Sequence, residues 1–263
     1  MGQVIVITSG KGGVGKTAAA ASLGGALSLL EQKTALVDLD IGLGKLDLIT
    51  GVSGRSIVHL GDVIRGVYPL DEALIPHPHY LNLFLLSAPQ QETHHSFTPE
   101  QMKQIYKQLS KRFDYVLVDC PAGAEQGFLN AICGADRALV IVQCETSSVR
   151  DGDKIAQLLI DQGIEKIELV INRYQQQLVR QGILLSIEEV LETLKLPLIG
   201  IVPEDRNVIK AGNTGQPIFM TPDTPAAVSF RNIARRLTGQ EVPLTRFQKE
   251  PLLSRLKRAW KDV

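Results

Sequence analysis

The residues with the clearest chemical capacity form a glycine-rich loop near the start of the chain. Residues 10–17 read Gly-Lys-Gly-Gly-Val-Gly-Lys-Thr and contain the pattern G-x-x-x-x-G-K-[ST]. Glycines let backbone N–H groups turn toward one anion, Lys16 can reach the β and γ phosphates of a nucleotide, and the Thr17 hydroxyl can bind Mg²⁺. A glycine-rich turn without a ligand is the alternative, but a β-branched run precedes the loop and an alanine-rich stretch follows it. We predict nucleotide binding by Gly10, Lys11, Gly12, Gly13, Val14, Gly15, Lys16, Thr17 and Ala18.

Lys11 is a second cation in a loop that already has its phosphate-binding lysine. If it is desolvated it needs an anion of its own, and otherwise it is a solvated surface lysine. Residues 11–17 resemble the loop Lys-Gly-Gly-x-x-Gly-Lys-Thr of the ParA/MinD family of deviant Walker-motif ATPases. In that family the first lysine crosses a dimer interface to the partner's nucleotide. The resemblance therefore implies an ATP-dependent homodimer in which Lys11 takes part in catalysis.

Carboxylates stand where two apolar runs end. Asp38 and Asp40 are two residues apart, so on an extended segment both would point the same way, and Asp119 ends the run Tyr-Val-Leu-Val. Capping of a turn is the alternative for the first pair. The resemblance implies that Thr17, Asp38 and Asp119 support Mg²⁺ and that Asp40 orients the attacking water. It also makes Pro121-Ala122-Gly123 the second switch segment, and catalysis would be positional and electrostatic, with Lys11 and Lys16 offsetting phosphoryl charge.

Two later segments are candidates for contact with the base. Asn172-Arg173 follows an apolar run, and an amide can both donate to and accept from a purine edge. The resemblance assigns these two residues, and the late loop that contains Pro203, Glu204 and Asp205, to adenine recognition. An ordinary strand-to-helix turn is the alternative for the late loop.

Residues 147–153 read Ser-Ser-Val-Arg-Asp-Gly-Asp and are expected to open a helix with a serine N-cap. They match the Ser-Ser-x-Arg-Asp-x-Asp stretch of the division-site-selecting branch of the family, which borders the dimer and the activator. The resemblance implies a partner surface at Ser148, Arg150, Asp151 and Asp153. Without it, the segment is only a capped helix with a charged first turn.

The last thirteen residues form an amphipathic pattern. Leu252, Leu253, Leu256 and Trp260 make an apolar stripe, and arginines and lysines occupy much of the rest. Basic amphipathic helices of this kind lie on anionic bilayers, and two held on one dimer would gain roughly 10² or more in avidity. We expect an ATP-switched attachment to the inner face of the cell membrane. Docking on the chain's own domain or on a protein partner is the alternative.

A repeated pattern of strands and helices is expected to position the loop and the carboxylates. Short β-branched runs alternate with amphipathic segments that begin at capping boxes after Thr98 and Ser186, which predicts an α/β fold with a doubly wound, mostly parallel sheet and helices on both faces. The expected strands are 3–8, 34–38, 81–87, 115–119, 138–143, 167–172 and 198–202. The carboxyl ends of such strands bind ligands, which is where the loop and the carboxylates stand. We predict an ATPase domain over 1–240, a linker over 241–250 and a membrane-targeting helix over 251–263.

Composition narrows the class of protein. The 263 residues carry 28 Lys plus Arg and 28 Asp plus Glu, so no overall field favours nucleic acid as a partner. The three cysteines show no ligand spacing and are expected to be reduced thiols in the cytoplasm. No leader and no apolar stretch of about 18 residues is present, so we expect neither secretion nor a membrane span. A metal site at His77, His79, His94 and His95 is not expected, since their surroundings resemble loops.

The resemblance is closest to the branch that selects the cell-division site, with a division inhibitor and an ATPase activator as implied partners. Ala18, Gly44-Lys45 and Gln143 depart from the usual pattern of that branch. Because of these departures, the chain can also be a paralogue that positions another cargo. Three further classes of protein stay open: a DNA-partitioning ATPase, an iron-sulfur reductase of related fold and a nucleotide-binding scaffold without turnover.

Overall fold

The computed structural model describes residues 1–40, 44–55, 57–87, 97–214, 218–221 and 223–244. Within these ranges the strands are β1 (Gln3–Thr8), β2 (Thr34–Asp38), β3 (Leu74–Pro76), β4 (Leu83–Leu86), β5 (Tyr115–Asp119), β6 (Arg137–Val142), β7 (Lys166–Tyr174) and β8 (Leu198–Pro203). They form one sheet in the order β3-β4-β2-β5-β1-β6-β7-β8, and only the β3–β4 pair is antiparallel among the pairs described. The predicted doubly wound, mostly parallel sheet is confirmed.

Helices cover both faces of this sheet. They are α1 (Lys16–Leu29), α2 (Leu46–Thr50), α3 (Leu60–Ile64), α4 (Leu70–Ala73), α5 (Pro99–Leu109), α6 (Gln126–Ile132), α7 (Thr146–Asp161), α8 (Gln176–Arg180), α9 (Ile187–Leu194), α10 (Arg206–Thr214) and α11 (Pro225–Leu237), with a 3₁₀ turn at Ile218–Met220. Two apolar clusters result, one beneath α1 and α11 and the other beneath α5, α6, α7 and α9. Strands buried on both faces explain why their sequences are almost continuously apolar.

The order of the strands reverses at β1, because the chain builds one side of the sheet from β5 outward and the other side from β6 outward, with β1 between them. Crossovers on either side of such a strand leave a crevice at its carboxyl end, where ligands of open α/β sheets bind. The glycine-rich loop follows β1 directly, and Asp38 and Asp119 end the strands on its β5 side. The fold therefore brings the predicted phosphate and metal residues to one edge.

Apart from shifts of one residue at strand ends, the structure differs from the sequence predictions in three places. The run 81–87 forms strand only over Leu83–Leu86, because residues 81 and 82 belong to a turn that leads back to the short antiparallel β3, a strand that was not predicted. The strand predicted over 167–172 continues to Tyr174, which pairs with Pro203 beyond an irregularity, so Asn172 lies inside β7 rather than at its end. Both predicted capping boxes, at Thr98 and Ser186, are present.

No helix among the described residues is long and apolar enough to span a bilayer. The predicted membrane residues Leu252, Leu253, Leu256 and Trp260 lie outside the described part of the chain, as do most of the predicted linker and the histidines His94 and His95.

Candidate nucleotide site

The glycine-rich loop leads into the N-terminus of α1. Gly13 and Gly15 have φ angles of 80° and 95°, a left-handed conformation that favours glycine. Gly15 occupies the N-cap position, and α1 has neither a side-chain cap nor an acidic residue in its first turn. The first N–H groups of a 14-residue helix are thus left for an external acceptor, which makes an anion site.

Lys16 is buried at the base of this loop. Its Nζ donates to Ser9 Oγ at 3.1 Å, and the Ser9 hydroxyl donates to the Lys11 carbonyl at 2.8 Å. No ion pair to Lys16 is found within the described residues. A buried ammonium held only by a neutral hydroxyl is suited to an incoming phosphate.

Lys11 already has an anion within its own chain. Its Nζ lies 2.8 Å from Glu145 Oε2 and 3.2 Å from Ser147 Oγ, and both charged side chains are 42% exposed. From sequence, a nucleotide of a second subunit or solvent was the expected partner of Lys11, and Glu145 was missed. An exposed pair of this kind is weak, so Lys11 remains available to a stronger anion.

Asp38 and Asp119 are paired neighbours at the ends of β2 and β5. Neither oxygen of Asp119 has a hydrogen-bond partner among the residues that the structure describes. Burial raises the pKa of Asp119 to about 8, to which Asp38 adds, while the nearby Thr17 hydroxyl and Lys16 ammonium act in the opposite direction. Burial likewise raises the pKa of Asp38 to about 7, against hydrogen bonds from the N–H groups of Asp40 and Leu46.

Two buried neighbouring carboxyl groups are unfavourable when both are ionised, and neither forms an ion pair within the described residues. A hard divalent cation with oxygen ligands would relieve this, so the residues present fit Mg²⁺. Asp40 stands beside them, partly exposed, with its N–H donating to Asp38 Oδ1 at 3.0 Å. Residues 41–43 lie outside the described ranges, and beyond them Gly44 approaches Asp38 so closely that a Cβ there would lie 2.9 Å from Asp38 Oδ2.

The residues predicted to contact the base have different partners within the chain. Asn172 is buried, and its Nδ2 donates to the Val14 carbonyl at 2.8 Å, so it contacts the loop itself. Arg173, with a φ of 54°, forms a two-point ion pair with Glu204 at 2.7 and 3.3 Å. Asp205 accepts from the N–H groups of Asn207 and Ala226. Pro203 ends β8. Arg173, Glu204 and Asp205 thus have partners within the chain that could not be foreseen from the sequence.

The predicted partner surface needs two corrections. The helix α7 begins at Thr146 with Glu145 at its N-cap position, so Ser147 is not the N-cap. Ser148 is buried, and its Oγ accepts from the Gln143 N–H at 3.0 Å, so it presents no side chain to a partner in this monomer. Arg150 and Asp153 are exposed as expected. Asp151 is partly buried because Gly10 packs on it, so closely that a Cβ at Gly10 would lie 2.2 Å from the Asp151 carbonyl oxygen.

Comparison with known proteins identifies the family. Residues 5–218 match the model of the CobQ/CobB/MinD/ParA nucleotide binding domain. The septum site-determining protein MinD of Bacillus subtilis is 46% identical over 246 residues, which cover 93% of this chain and 92% of that protein. The MinD of Synechocystis is 41% identical over 98% of both chains.

Comparison with solved structures supports the same family assignment. The MinD cell division protein of Aquifex aeolicus superposes with a TM-score of 0.85 at 38% identity, covering 93% of this chain and all of that one. The MinD of Pyrococcus horikoshii, solved as a complex with Mg-ADP, gives a TM-score of 0.81 at 28% identity over 90% of this chain and 96% of that one. Nucleotide and Mg²⁺ binding, which the loop and the two buried aspartates predict, is thereby supported by homology. The chain belongs to the CobQ/CobB/MinD/ParA nucleotide-binding family and, within it, to the MinD-type ATPases.

Proposed function

We propose that this chain is a division-site-positioning ATPase that binds ATP with Mg²⁺, dimerises face to face and attaches to the inner membrane surface through residues 251–263. The observation that carries the proposal is the charge arrangement at the sheet edge. The buried Lys16 ammonium and the buried Asp38 and Asp119 lie at one edge of the sheet, and no ion pair to any of the three is found within the described residues. Mg²⁺-ATP would supply an anion to the lysine and a cation to the aspartates.

The site residues then form three groups, which would bind the phosphates, Mg²⁺ and the base. The N–H groups of residues 10–18 and the Lys16 ammonium would hold the phosphates, while Thr17, Asp38 and Asp119 would hold Mg²⁺, which offsets phosphate charge when bound. Asn172, Arg173, Pro203, Glu204 and Asp205 would border the base. Breaking the Arg173–Glu204 ion pair costs little because both side chains are partly exposed, so either group can turn toward a nucleotide.

Hydrolysis would depend on position and electrostatics rather than on a covalent intermediate. Asp40 would orient the attacking water, and Lys16 together with Lys11 of a second copy would stabilise charge on the transferring phosphoryl group. Lys11 leaves Glu145 to do this, and the exchange favours the nucleotide because a triphosphate offers more negative charge than one half-exposed carboxylate.

Dimerisation would switch membrane attachment. The apolar stripe of Leu252, Leu253, Leu256 and Trp260 is short, so one copy adsorbs weakly and two linked copies adsorb together. The solved MinC:MinD cell division protein complex of Aquifex aeolicus, whose MinD is 39% identical to this chain, supports a division inhibitor as one partner. Arg150, Asp151 and Asp153 are the candidate contacts for an activator.

The decisive experiment is cosedimentation of the full chain with anionic vesicles in ATP or ADP, beside a chain that ends at residue 250. We expect binding of the full chain in ATP only. Equal binding by both chains would reject the membrane role, and binding to DNA without binding to vesicles would favour a DNA-partitioning ATPase. ATP turnover that survives Lys16→Ala would reject the assigned site.

A further inference from the structure

Three carbonyl oxygens of the glycine-rich loop accept hydrogen bonds from side chains around it. Ser9 Oγ donates to the Lys11 carbonyl at 2.8 Å, and Asn172 Nδ2 donates to the Val14 carbonyl at 2.8 Å. Gln143 Nε2 reaches the Gly13 carbonyl at 3.5 Å, a long and weaker contact. The donors come from the end of β1, the segment after β6 and the end of β7. The loop is therefore held from the side opposite its phosphate cradle.

These contacts also fix the direction of the backbone N–H groups in the loop. In a planar trans peptide the carbonyl of one residue and the N–H of the next point in opposite directions. A carbonyl held toward Asn172 thus turns the Gly15 N–H away from Asn172, toward the space in front of the loop. In the same way, the N–H of Gly12 points away from Ser9 and the N–H of Val14 points away from Gln143.

Asn172 makes the shorter of the two contacts that reach the loop from a distant part of the chain. Its side chain is buried, and the hydrogen bond joins residues 158 positions apart. Gly15 provides the space for it, because a Cβ at Gly15 would lie 2.5 Å from Asn172 Nδ2. The glycine is thus required both for its φ of 95° and for the approach of this amide.

We infer that Asn172 is a positioning residue of the phosphate-binding loop, whose amide fixes the Val14–Gly15 peptide so that the Gly15 N–H faces the phosphates. This goes beyond its proposed contact with adenine, and it rests on the proposed nucleotide site. One N–H of the amide serves the loop, while the second N–H and the Oδ1 remain for a base. Phosphate binding itself, and not only base recognition, depends on this residue.

Inorganic tripolyphosphate separates the two roles because it has the phosphate chain of ATP and no base. Binding of Mg²⁺-tripolyphosphate and Mg²⁺-ATP is measured by titration calorimetry on the full chain and on Asn172→Ala, after thermal unfolding has shown that the variant is folded. Loss of one buried hydrogen bond predicts about tenfold weaker binding of both ligands. The control is Asn232→Ala on α11, where the Asn232 side chain accepts from Arg235 and not from the loop, and it leaves both affinities unchanged.

An Asn172→Ala chain that binds tripolyphosphate like the wild type but binds ATP more weakly would overturn the inference and leave Asn172 a base contact alone. If that variant does not fold, Asn172→Asp keeps the side-chain volume and removes the N–H. A carboxylate facing the Val14 carbonyl should weaken tripolyphosphate binding more than tenfold, and unchanged binding would again overturn the inference. Failure of the wild type to bind either ligand would instead reject the proposed nucleotide site.

Discussion

The Lys11 ammonium lies 2.8 Å from the Glu145 carboxylate, although the two residues are 134 positions apart and belong to different strand-to-helix junctions. Glu145 therefore holds, in the single chain, the lysine that we assign to the partner's nucleotide. In the proposed dimer the two anions would compete for one cation. The strength of that dimer would then depend on Glu145.

Glu145→Gln should strengthen the ATP-dependent dimer. The amide carries no charge, so Lys11 leaves its partners in the single chain at a lower cost. We expect the dimer dissociation constant to fall roughly two- to fivefold, the range of an exposed ion pair. Folding stability should change by less than about 1 kcal/mol. Light scattering over a concentration series measures the effect, with Glu165→Gln as an exposed control. A weaker dimer would show that Glu145 serves the dimer rather than competing with it.

The buried aspartates predict an unusual pH dependence for the protein without metal and nucleotide. The folded-state pKa of Asp119 is about 8 and that of Asp38 about 7, against an ordinary value of 3.8. At pH values between the ordinary and the raised pKa, the folded chain binds more protons than the unfolded chain. The free energy of unfolding therefore falls as pH rises from about 4 to about 8, by several kcal/mol in all. Chemical denaturation at several pH values measures it.

Asp119→Asn should reduce that pH dependence to the part that Asp38 contributes, because the neutral amide has no charge to bury. It should also remove the stabilisation that Mg²⁺-nucleotide gives the wild type. Asp161→Asn, at the exposed end of α7, is the matched control. A wild-type protein whose stability rises steadily from pH 5 to 8 would contradict the assignment of these two carboxyl groups.

Asp40→Ala should separate binding from turnover. Asp40 is partly exposed and outside the phosphate loop, so we expect nucleotide affinity within about twofold of the wild type, while loss of an oriented water lowers the hydrolysis rate on the order of 10² or more. Phosphate release under single-turnover conditions measures the rate. Unchanged hydrolysis would remove Asp40 from the mechanism.

Arg236 anchors the end of the described chain. Its guanidinium donates to the carbonyls of Ile199, Val242 and Pro243 at 2.8, 2.8 and 2.7 Å. Arg236→Ala removes all three, so we expect a loss of about 1–3 kcal/mol in unfolding free energy and faster proteolysis after residue 240. Arg235→Ala, on the exposed side of α11, should change neither. Equal protease sensitivity in both variants would show that the tail is held by other contacts.

The fold and the phosphate loop could be predicted from the sequence because both depend on local patterns. The sequence alone reveals apolar runs of strand length, the capping boxes that begin at Thr98 and Ser186, and the closely spaced glycines of residues 10–15. The strand β3 escaped prediction because three residues at an edge carry no periodicity.

The long-range contacts of the site could not be predicted in this way. Glu145, Gln143 and Asn172 meet the loop only because β6 and β7 follow β1 in the order of the sheet, and no spacing in the chain encodes that order. The burial of Ser148 was also hidden, since a serine in a polar stretch resembles a surface residue until α7 packs on the sheet.

The central claim is that ATP joins two copies of the chain through Lys11. Light scattering of Asp40→Ala with Mg²⁺-ATP, in which slow hydrolysis preserves the nucleotide, tests it directly. We predict twice the mass of one chain with ATP, the mass of one chain with ADP, and the mass of one chain with ATP once Lys11→Ala is added, although that double variant still binds ATP. A double variant that dimerises as well as Asp40→Ala, or an Asp40→Ala chain that stays monomeric in ATP, would contradict the claim.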